Sequence, residues 1–354
     1  DTTELPGWNY LMPSSDAQEA VDGIAKQLAA LETTAPQEVI EAYKPVDENL
    51  RKRILQLTSL AQKRKLKPWQ IMRMTAMTTL KTQLVGELAL YQSIVQGIIT
   101  SGQEGAIGLS QTGSRMAVDR ALPRGLKIDN LARLGIQWNR VPREAFEGFV
   151  GIAGDGKPLG NLLGRYGPQN AARITSEIGT GIASGRGPRE VARLARKATG
   201  IPLSEALTIS RTEINRTHRE ATRLNYAANS DIVKGYRRLA TKDETTCMAC
   251  IALDGTAYEN NEPLDSHPNC RCTMVPDTLT YQDLGLDVPE EARPESGQAW
   301  FNKQPESVQR GMMGGRRFDA FQKGNIGLSD LVSVSSNPTW GKSATVKSVR
   351  ALGV

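Results

Sequence analysis

Hydrophobic positions along this chain are spaced for helices over most of its length. From Asp16, the residues Val21, Ile24, Leu28 and Leu31 return every three or four positions, and Asp16 stands where an N-cap carboxylate would meet free backbone amides. Pro36 and Pro45 follow; lacking the amide hydrogen that a helix interior uses, they are expected to punctuate the chain. A stronger stripe begins after Lys67, Pro68 and Trp69, where Met77, Leu80, Leu84, Leu88, Tyr91, Val95 and Ile98 recur with polar residues between them. This predicts one long amphipathic helix ending near 101–105. Its near-heptad spacing suits packing along another long helix rather than on a sheet.

Residues 101–168 are richer in glycine and proline, with LPRG at 122–125, GIAGDGKPLG at 151–160 and GRYG at 164–167, and predict a loop-rich connector with one or two short helices. The fragment GAIGLSQTG lacks the spacing and the lysine of a phosphate-cradling loop and reads as a mobile loop. Helical periodicity returns after Pro168. Ala172, Ile174, Ile178 and Ile182 form one helix; Pro188 opens a second, with Val191, Leu194 and Ala195 behind it and Gly200 closing it. A third is expected from Ser204 to about Asn229, burying Leu207, Ile214, Ala221 and Leu224. GYRRLAT at 235–241 and TAYEN at 256–260 are β-type segments with the turn sequence LDG between them.

The expected fold is therefore mainly α with a small α+β zinc-knuckle-like region: long N-terminal amphipathic helices, a central helical domain ending in short β-hairpin segments, and a helical plus extended C-terminal arm. The corresponding organisation is an arm over 1–15, a long-helix region over 16–105, a connector over 106–164, a central domain over 165–276 and a C-terminal extension over 277–354. In that extension Phe301, Val308, Met312 and Phe318 are spaced for a helix or helix pair over 303–323, followed by a polar, basic tail.

Composition narrows the class. At 354 residues the chain exceeds the size of most single cores, so two or three domains are expected. No run approaches the roughly twenty apolar residues that span a bilayer, which predicts a soluble protein. The net charge of +6 is modest, and its distribution matters more. No acidic residue lies between Asn49 and Glu87, whereas Arg51, Lys52, Arg53, Lys63, Arg64, Lys65 and Lys67 crowd that region. A second basic run includes Arg316 and Arg317. These are candidate contacts for DNA or an acidic partner; the alternative is a solvated helix face.

All four cysteines and one of two histidines fall within Cys247-x2-Cys250-x16-His267-x2-Cys270-x-Cys272. A CxxC turn offers two thiolates to one ion, and a second pair across a loop completes a tetrahedral zinc shell whose work is folding. Five candidates compete for four places. The reading favours Cys247, Cys250, Cys270 and Cys272 in the shell, with His267 as an alternative ligand or as a hydrogen-bond partner outside it. Two disulfides are the competing reading.

A zinc-deaminase reading, from His218-Arg219-Glu220 and the later Pro268 and cysteines, fails on geometry. The second half is CxC, and residues two apart on a helix point away from each other. Arg211, Thr212 and Glu213 place opposite charges two apart on the same predicted helix, where they cannot pair, so either both charges remain solvated or Arg211 or Glu213 turns inward and braces the knuckle.

The ordered segments ISRTEINRTHREATRLNY, TKDETTCMACIALDGTAY and HPNCRC resemble the Mu F-type head morphogenesis domain, or minor head (minor capsid) protein family, of tailed bacteriophages, over about residues 165–276. The stretch AWFNKQPESVQRGMMGGRRFDAFQKGNIGLSDLV is similar to the C-terminal extension of such proteins. The resemblance implies a non-enzymatic virion component incorporated at the portal vertex during procapsid assembly in the host cytoplasm. It implies binding to the portal protein, with packaged DNA, scaffold and major capsid protein as further candidate partners and a role in genome delivery. Its metal-type positions fall on Cys247, Cys250, His267, Cys270 and Cys272, and its RTE on Arg211, Thr212 and Glu213. The alternatives are a nucleic-acid-binding zinc protein acting outside the virion and a zinc-dependent hydrolase or deaminase.

Overall fold

The computed structural model describes residues 15–64, 70, 74–123, 126–164, 167–280, 282–283, 295–337 and 339–354. Nearly all of the expected N-terminal arm, together with Lys65 and Lys67, lies outside the described residues. Contacts divide the chain into two compact units, one made of Asp1–Ala30, Gly105–Gly148 and Asn215–Val354, the other of Leu31–Glu104 and Phe149–Ile214.

The protein is mainly helical, as its periodicity predicts, but three long helices replace shorter expected pieces. Helix α1 covers Ser15–Lys63 and passes through both Pro36 and Pro45. A helix-interior proline costs about 3 kcal/mol. Opposing this, Ala35, Val39, Tyr43, Val46, Leu50 and Ile54 form a continuous buried stripe, and full burial of one large apolar side chain is worth about 1.5–3 kcal/mol. Pro36 itself joins the buried face, while Pro45 lies on the exposed side, where water can reach the carbonyl left without a donor.

Helix α2, Thr75–Ala121, also overruns its expected end and absorbs the first part of the presumed connector, including GAIGLSQTG. Two of its glycines, Gly102 and Gly113, serve close approach: a Cβ at Gly113 would lie 2.6 Å from the Ile24 side chain. The expected stripe is buried from Met77 to Val95, but Ile99 takes the inward place predicted for Ile98. After it come α3 (Ile128–Leu131), α4 (Leu159–Gly164) and α5 (Gly167–Ala183). The two helices predicted around Gly200 are one, α6, Pro188–Ala227, with Pro202 inside it. Burial of Val191, Ala195, Ala198, Ala206 and Ile209 along one face outweighs both helix breakers.

In the unit containing 31–104 and 149–214, Tyr43 and Tyr91 meet edge to face at 5.0 Å, and Arg53 pairs with Glu87 at 2.7 Å. The other unit holds two antiparallel sheets. One has strand order β2-β1-β3, with β1 Val233–Leu239, β2 Ala257–Glu259 and β3 Thr273–Thr278; the helix α7, Met248–Ala252, lies between β1 and β2 in the chain. Strand β3 escaped the sequence reading because Pro276 argues against a strand; its position at a sheet edge tolerates the missing donor. Ring stacking of Tyr236 on Tyr258 at 5.3 Å marks the β1–β2 register.

The C-terminal extension differs from the expected arm. Helices α8 (Gly297–Asn302), α9 (Glu306–Met313) and α10 (Gly315–Gln322) are followed by the hairpin β4 (Val332–Asn337) and β5 (Gly341–Val346), then α11 (Val349–Leu352). Of the helix or helix pair expected over 303–323 the structure has the pair, with Gly314, at φ of 82°, separating α9 from α10. The tail is ordered because Phe301, Met313, Phe318, Leu328 and Leu331 join Met248 and Ile251 of α7 in one core.

Where α2 and α6 meet within the first unit, the buried Thr222 and Asn225 each donate to the buried Ser110 hydroxyl at 3.1 Å. His218 lies buried on α6, and neither ring nitrogen has a hydrogen-bond partner among the described residues. Burial, reinforced by Arg219, lowers it from 6.5 to about 4. The unfolded chain therefore binds an extra proton between those values, and the stability linked to a neutral His218 is present above about pH 6.5 and lost as pH falls toward 4. Asp277, raised by burial to about 6, acts in the opposite sense in an overlapping window, so the comparison must be between variants. Across pH 7 to 4 the stability advantage of wild type over His218→Leu should shrink by up to about 3 kcal/mol in urea denaturation. Parallel pH profiles would show that His218 does not titrate in this way.

Candidate metal centre

Strand β1 and the turn after it lead into Cys247, which caps α7: its sulfur accepts the Cys250 amide at 3.4 Å. The LDG sequence closes the next turn with Gly255 at φ of 81°. The chain returns through His267, Pro268 and Asn269; the Cys270 amide bonds the His267 carbonyl at 3.0 Å, and Asn269 is left-handed at φ of 61°. This tight turn makes Cys270 and Cys272 converge, which an extended strand would not allow.

All five sequence-predicted candidates are thereby brought together. Two triplets have their ligand atoms within 4.8 Å of one another, Cys247, Cys250 and His267, and Cys250, Cys270 and Cys272, so Cys250 is common to both. Its sulfur lies 3.8 Å from that of Cys270. This is the separation of about 3.8 Å that two zinc–sulfur bonds of about 2.3 Å enclose at a tetrahedral angle. The His267 Nε2 approaches Cys247 at 3.1 Å and Cys250 at 3.3 Å. Its Nδ1 donates to the Pro268 carbonyl at 2.8 Å, which turns the other nitrogen toward the sulfurs as in a metal-ligating histidine. The residues present suit a metal ion.

The surroundings also favour thiolates. Arg238 is only 1% exposed, and its guanidinium faces the sulfurs of Cys250 at 3.7 Å and Cys272 at 3.9 Å. Its remaining contacts are the Tyr258 hydroxyl and the Asp265 carbonyl; the Asp265 carboxylate pairs instead with Lys342 at 3.1 Å. Burial alone would weaken the hold of Arg238 on its proton, but the neighbouring sulfurs of Cys272 and Cys250, with Tyr258, reverse that. Arg219, also buried, donates to the carbonyls of Cys270 at 3.1 Å and Cys272 at 3.4 Å. Among the described residues no carboxylate forms an ion pair with either guanidinium, so the sulfur cluster is the negative charge available to them. The hydrogen bond with Cys250, and His267 beside it, hold Cys247 down at about 4, and Cys270 is lowered as well, whereas hydrogen bonds with neighbouring cysteines, together with burial, push the Cys250 and Cys272 thiols up in the absence of an ion. The sulfurs in turn outweigh burial and raise His267 to about 9, so its use as a ligand would release a proton.

A further brace lies outside the cluster. Arg271 makes a two-pronged pair with Asp243 at 2.7 and 2.8 Å, tying the loop before Cys247 to the CRC segment. The Arg271 bond, aided by Thr245 and Thr246, holds Asp243 well below the usual carboxylate range. Sequence reading did not single out Arg238, Arg219, Asp243 or Arg271. The signal for Arg238 was its alternation with Tyr236 along β1, which puts both on the inner face.

Other predicted residues lie elsewhere. Glu213 does turn inward, buried completely, but accepts the Gly154 amide at 3.2 Å rather than bracing the cysteine loop; Thr212 bonds back to the Thr208 carbonyl, and Arg211 is exposed. His218 is not part of either metal-type triplet, and Glu220 is engaged by Arg223 at 3.0 Å. Lys52, Lys63, Arg64 and Arg316 are exposed. Arg51 pairs with Asp47 at 2.8 Å, Arg53 with Glu87, and Arg317 spends its donors on the carbonyls of Lys347 and Met313.

The left-handed Asn269 gives a local test. A β-branched residue there should cost about 1–2 kcal/mol, whereas glycine takes the conformation freely. Asn269→Val should lower stability and Asn269→Gly leave it nearly unchanged in thermal unfolding of the metal-loaded protein; equal losses in both would mean the side chain, not the backbone, matters.

Residues 172–275 match the family described as "Phage Mu protein F like protein". That segment begins in α5 and includes α6, β1 and every candidate ligand. Among curated proteins, the chain is 28% identical over 138 residues to the NAD(+)--arginine ADP-ribosyltransferase EFV of Enterococcus faecalis (strain ATCC 700802 / V583), a match covering 34% of this chain and 28% of that protein. The chain thus matches little more than a quarter of that relative's length. No solved structure matches.

Proposed function

We propose, for a chain whose segment 172–275 belongs to the phage Mu protein F like family, that it is a structural minor head protein of a tailed phage, incorporated at the portal vertex during procapsid assembly. The family match supports a head-morphogenesis role; the portal protein is the partner to which we assign it, with packaged DNA, scaffold and major capsid protein as secondary contacts. On this reading the protein works in the virion and, during assembly, in the host cytoplasm.

The cysteine cluster in this proposal is a structural zinc site using Cys247, Cys250, Cys270 and Cys272, with His267 as the alternative ligand. The observation that carries it is the burial of Arg238 against sulfurs, with no carboxylate among the described residues paired to it. Disulfides would leave that guanidinium facing neutral sulfur, at a cost of several kcal/mol for an unpaired buried charge. Zinc supplies a cross-link between the CxxC turn and the HPNCRC turn. With four protein ligands it leaves no place for an activated water, so the role is folding.

The relative's printed activity does not transfer on this reading. The match covers 28% of that protein, and here the candidate acid–base residues are tied up, Glu220 by Arg223 and His218 by burial outside both metal-type triplets. DNA contact is assigned to the exposed cations Lys52, Lys63, Arg64 and Arg316, a sequence-blind interaction through phosphate that falls steeply with salt.

Two measurements test these assignments. Native mass spectrometry should find one zinc per chain, removed by chelator; a metal-free mass lower by the protons of two cystines would sink the zinc site. Pull-down of tagged protein from cells assembling particles should recover portal protein as the dominant partner. Recovery of nucleic acid with neither portal nor capsid protein would replace the virion role by that of a nucleic-acid-binding zinc protein acting elsewhere.

A further inference from the structure

Helix α7 carries two opposite loads on five residues. One side, through Cys250 and the capping Cys247, belongs to the metal-type cluster; the other, through Met248 and Ile251, each 1% exposed, belongs to the apolar core of the C-terminal segment with Phe301, Met313, Phe318 and Leu331. Contacts from its core, from α8 and from β5 join that segment, residues 295–354, to the ligand loop. Met248 and Ile251 fill its core. The start of α8 lies so close to α7 that a Cβ at Gly297 would fall 2.4 Å from the Ile251 carbonyl oxygen. On β5, Ser343 donates to the Ser266 carbonyl at 2.6 Å and Lys342 pairs with Asp265, both beside His267.

The surface on which the C-terminal segment docks is therefore composed of the CxxC helix and of residues adjoining His267. A five-residue helix does not hold itself together in water. Its position relative to 265–267 depends on what links Cys247 and Cys250 to the returning turn.

We infer that the metal centre is a clip for the C-terminal module: an ion joining the CxxC and HPNCRC turns fixes the face on which residues 295–354 dock, so occupancy of the centre and docking of the module reinforce each other. This rests on the zinc reading above. It goes beyond that reading in assigning the ion control over one particular part of the protein. The β1–β3 sheet shares its core with Cys250, Cys270 and Cys272, but part of its support does not pass through the centre: Val118 of α2, Leu122 just after it and Tyr226 of α6 lie in the same cluster as Ile232, Val233 and Tyr236. Removing the ion should thus release the module and spare the sheet.

Coupling of this kind is reciprocal, so what loosens the module must loosen the ion by the same factor. Gly297→Ala offers a probe that touches no ligand, since its methyl group cannot fit against the Ile251 carbonyl.

Hydrogen exchange on the full chain, with zinc and after chelation, is the direct test, run beside a mass measurement of bound zinc. Chelation should abolish amide protection in α9, α10 and β4–β5 while β1 and β3 retain most of theirs. Gly297→Ala should still bind one zinc, with an affinity reduced about 5- to 150-fold, and show the same loss of module protection. Protection of the module unchanged by chelation overturns the clip, as does joint loss of module and sheet, which would make the ion a determinant of the whole unit. Unaltered zinc affinity in Gly297→Ala with the module released overturns the coupling. Failure of wild type to bind zinc at all would instead defeat the zinc reading.

Discussion

A guanidinium buried against sulfur, with no carboxylate partner among the described residues, is the constraint around which the centre of this protein is arranged. Arg238 sits on the middle strand of a three-stranded sheet, 1% exposed, with sulfurs on one side and a backbone carbonyl on the other. The price of burying such a charge is several kcal/mol unless anions face it, and the sulfurs are what faces it here. The same requirement accounts for much of the local geometry. Asn269 adopts a left-handed conformation to turn the chain, His267 is oriented through Pro268, and Arg271 is locked to Asp243. Each device brings ligand atoms from separate turns to one place and holds them there. An ion bound at the sulfurs would stabilise the charge and the turns together.

The long helices answer to a different balance, in which local preference is overruled by burial. Prolines 36, 45 and 202 and glycines 102, 108, 113 and 200 all lie inside helices. In isolation each disfavours a helix. In the folded chain the apolar stripes they interrupt are continuous, and at Gly113 the missing side chain makes room for Ile24. A helix breaker read alone speaks only for its own residue, whereas a stripe of six or seven buried side chains speaks for the whole segment.

This explains which parts of the structure were legible in the sequence. Mainly helical architecture, the stripe from Met77 to Val95, the strands around Tyr236 and Tyr258 and the convergence of five ligand candidates all followed from periodicity and spacing, because each signal is repeated over many positions. Helix ends did not, since they rest on single residues whose cost tertiary packing can offset. Strand β3 was hidden by Pro276, harmless at an edge. The C-terminal tail looked like an arm because β4 and β5 are rich in serine, yet Ala344 is fully buried and the hairpin closes a core begun by Phe301. Arg238 was concealed by its charge: a basic residue in a strand is expected to face water, and only the alternation with Tyr236 and the proximity of the cysteines argued otherwise.

The central claim is that the four cysteines are thiolates gathered on a metal ion, with Arg238 as the cation that balances them. X-ray absorption at the zinc edge of the purified chain addresses it most directly. The account predicts one zinc in a four-coordinate site with three or four sulfurs at about 2.3 Å and no bound water. Absence of a sulfur shell, with the cysteines recovered as cystine, would contradict it.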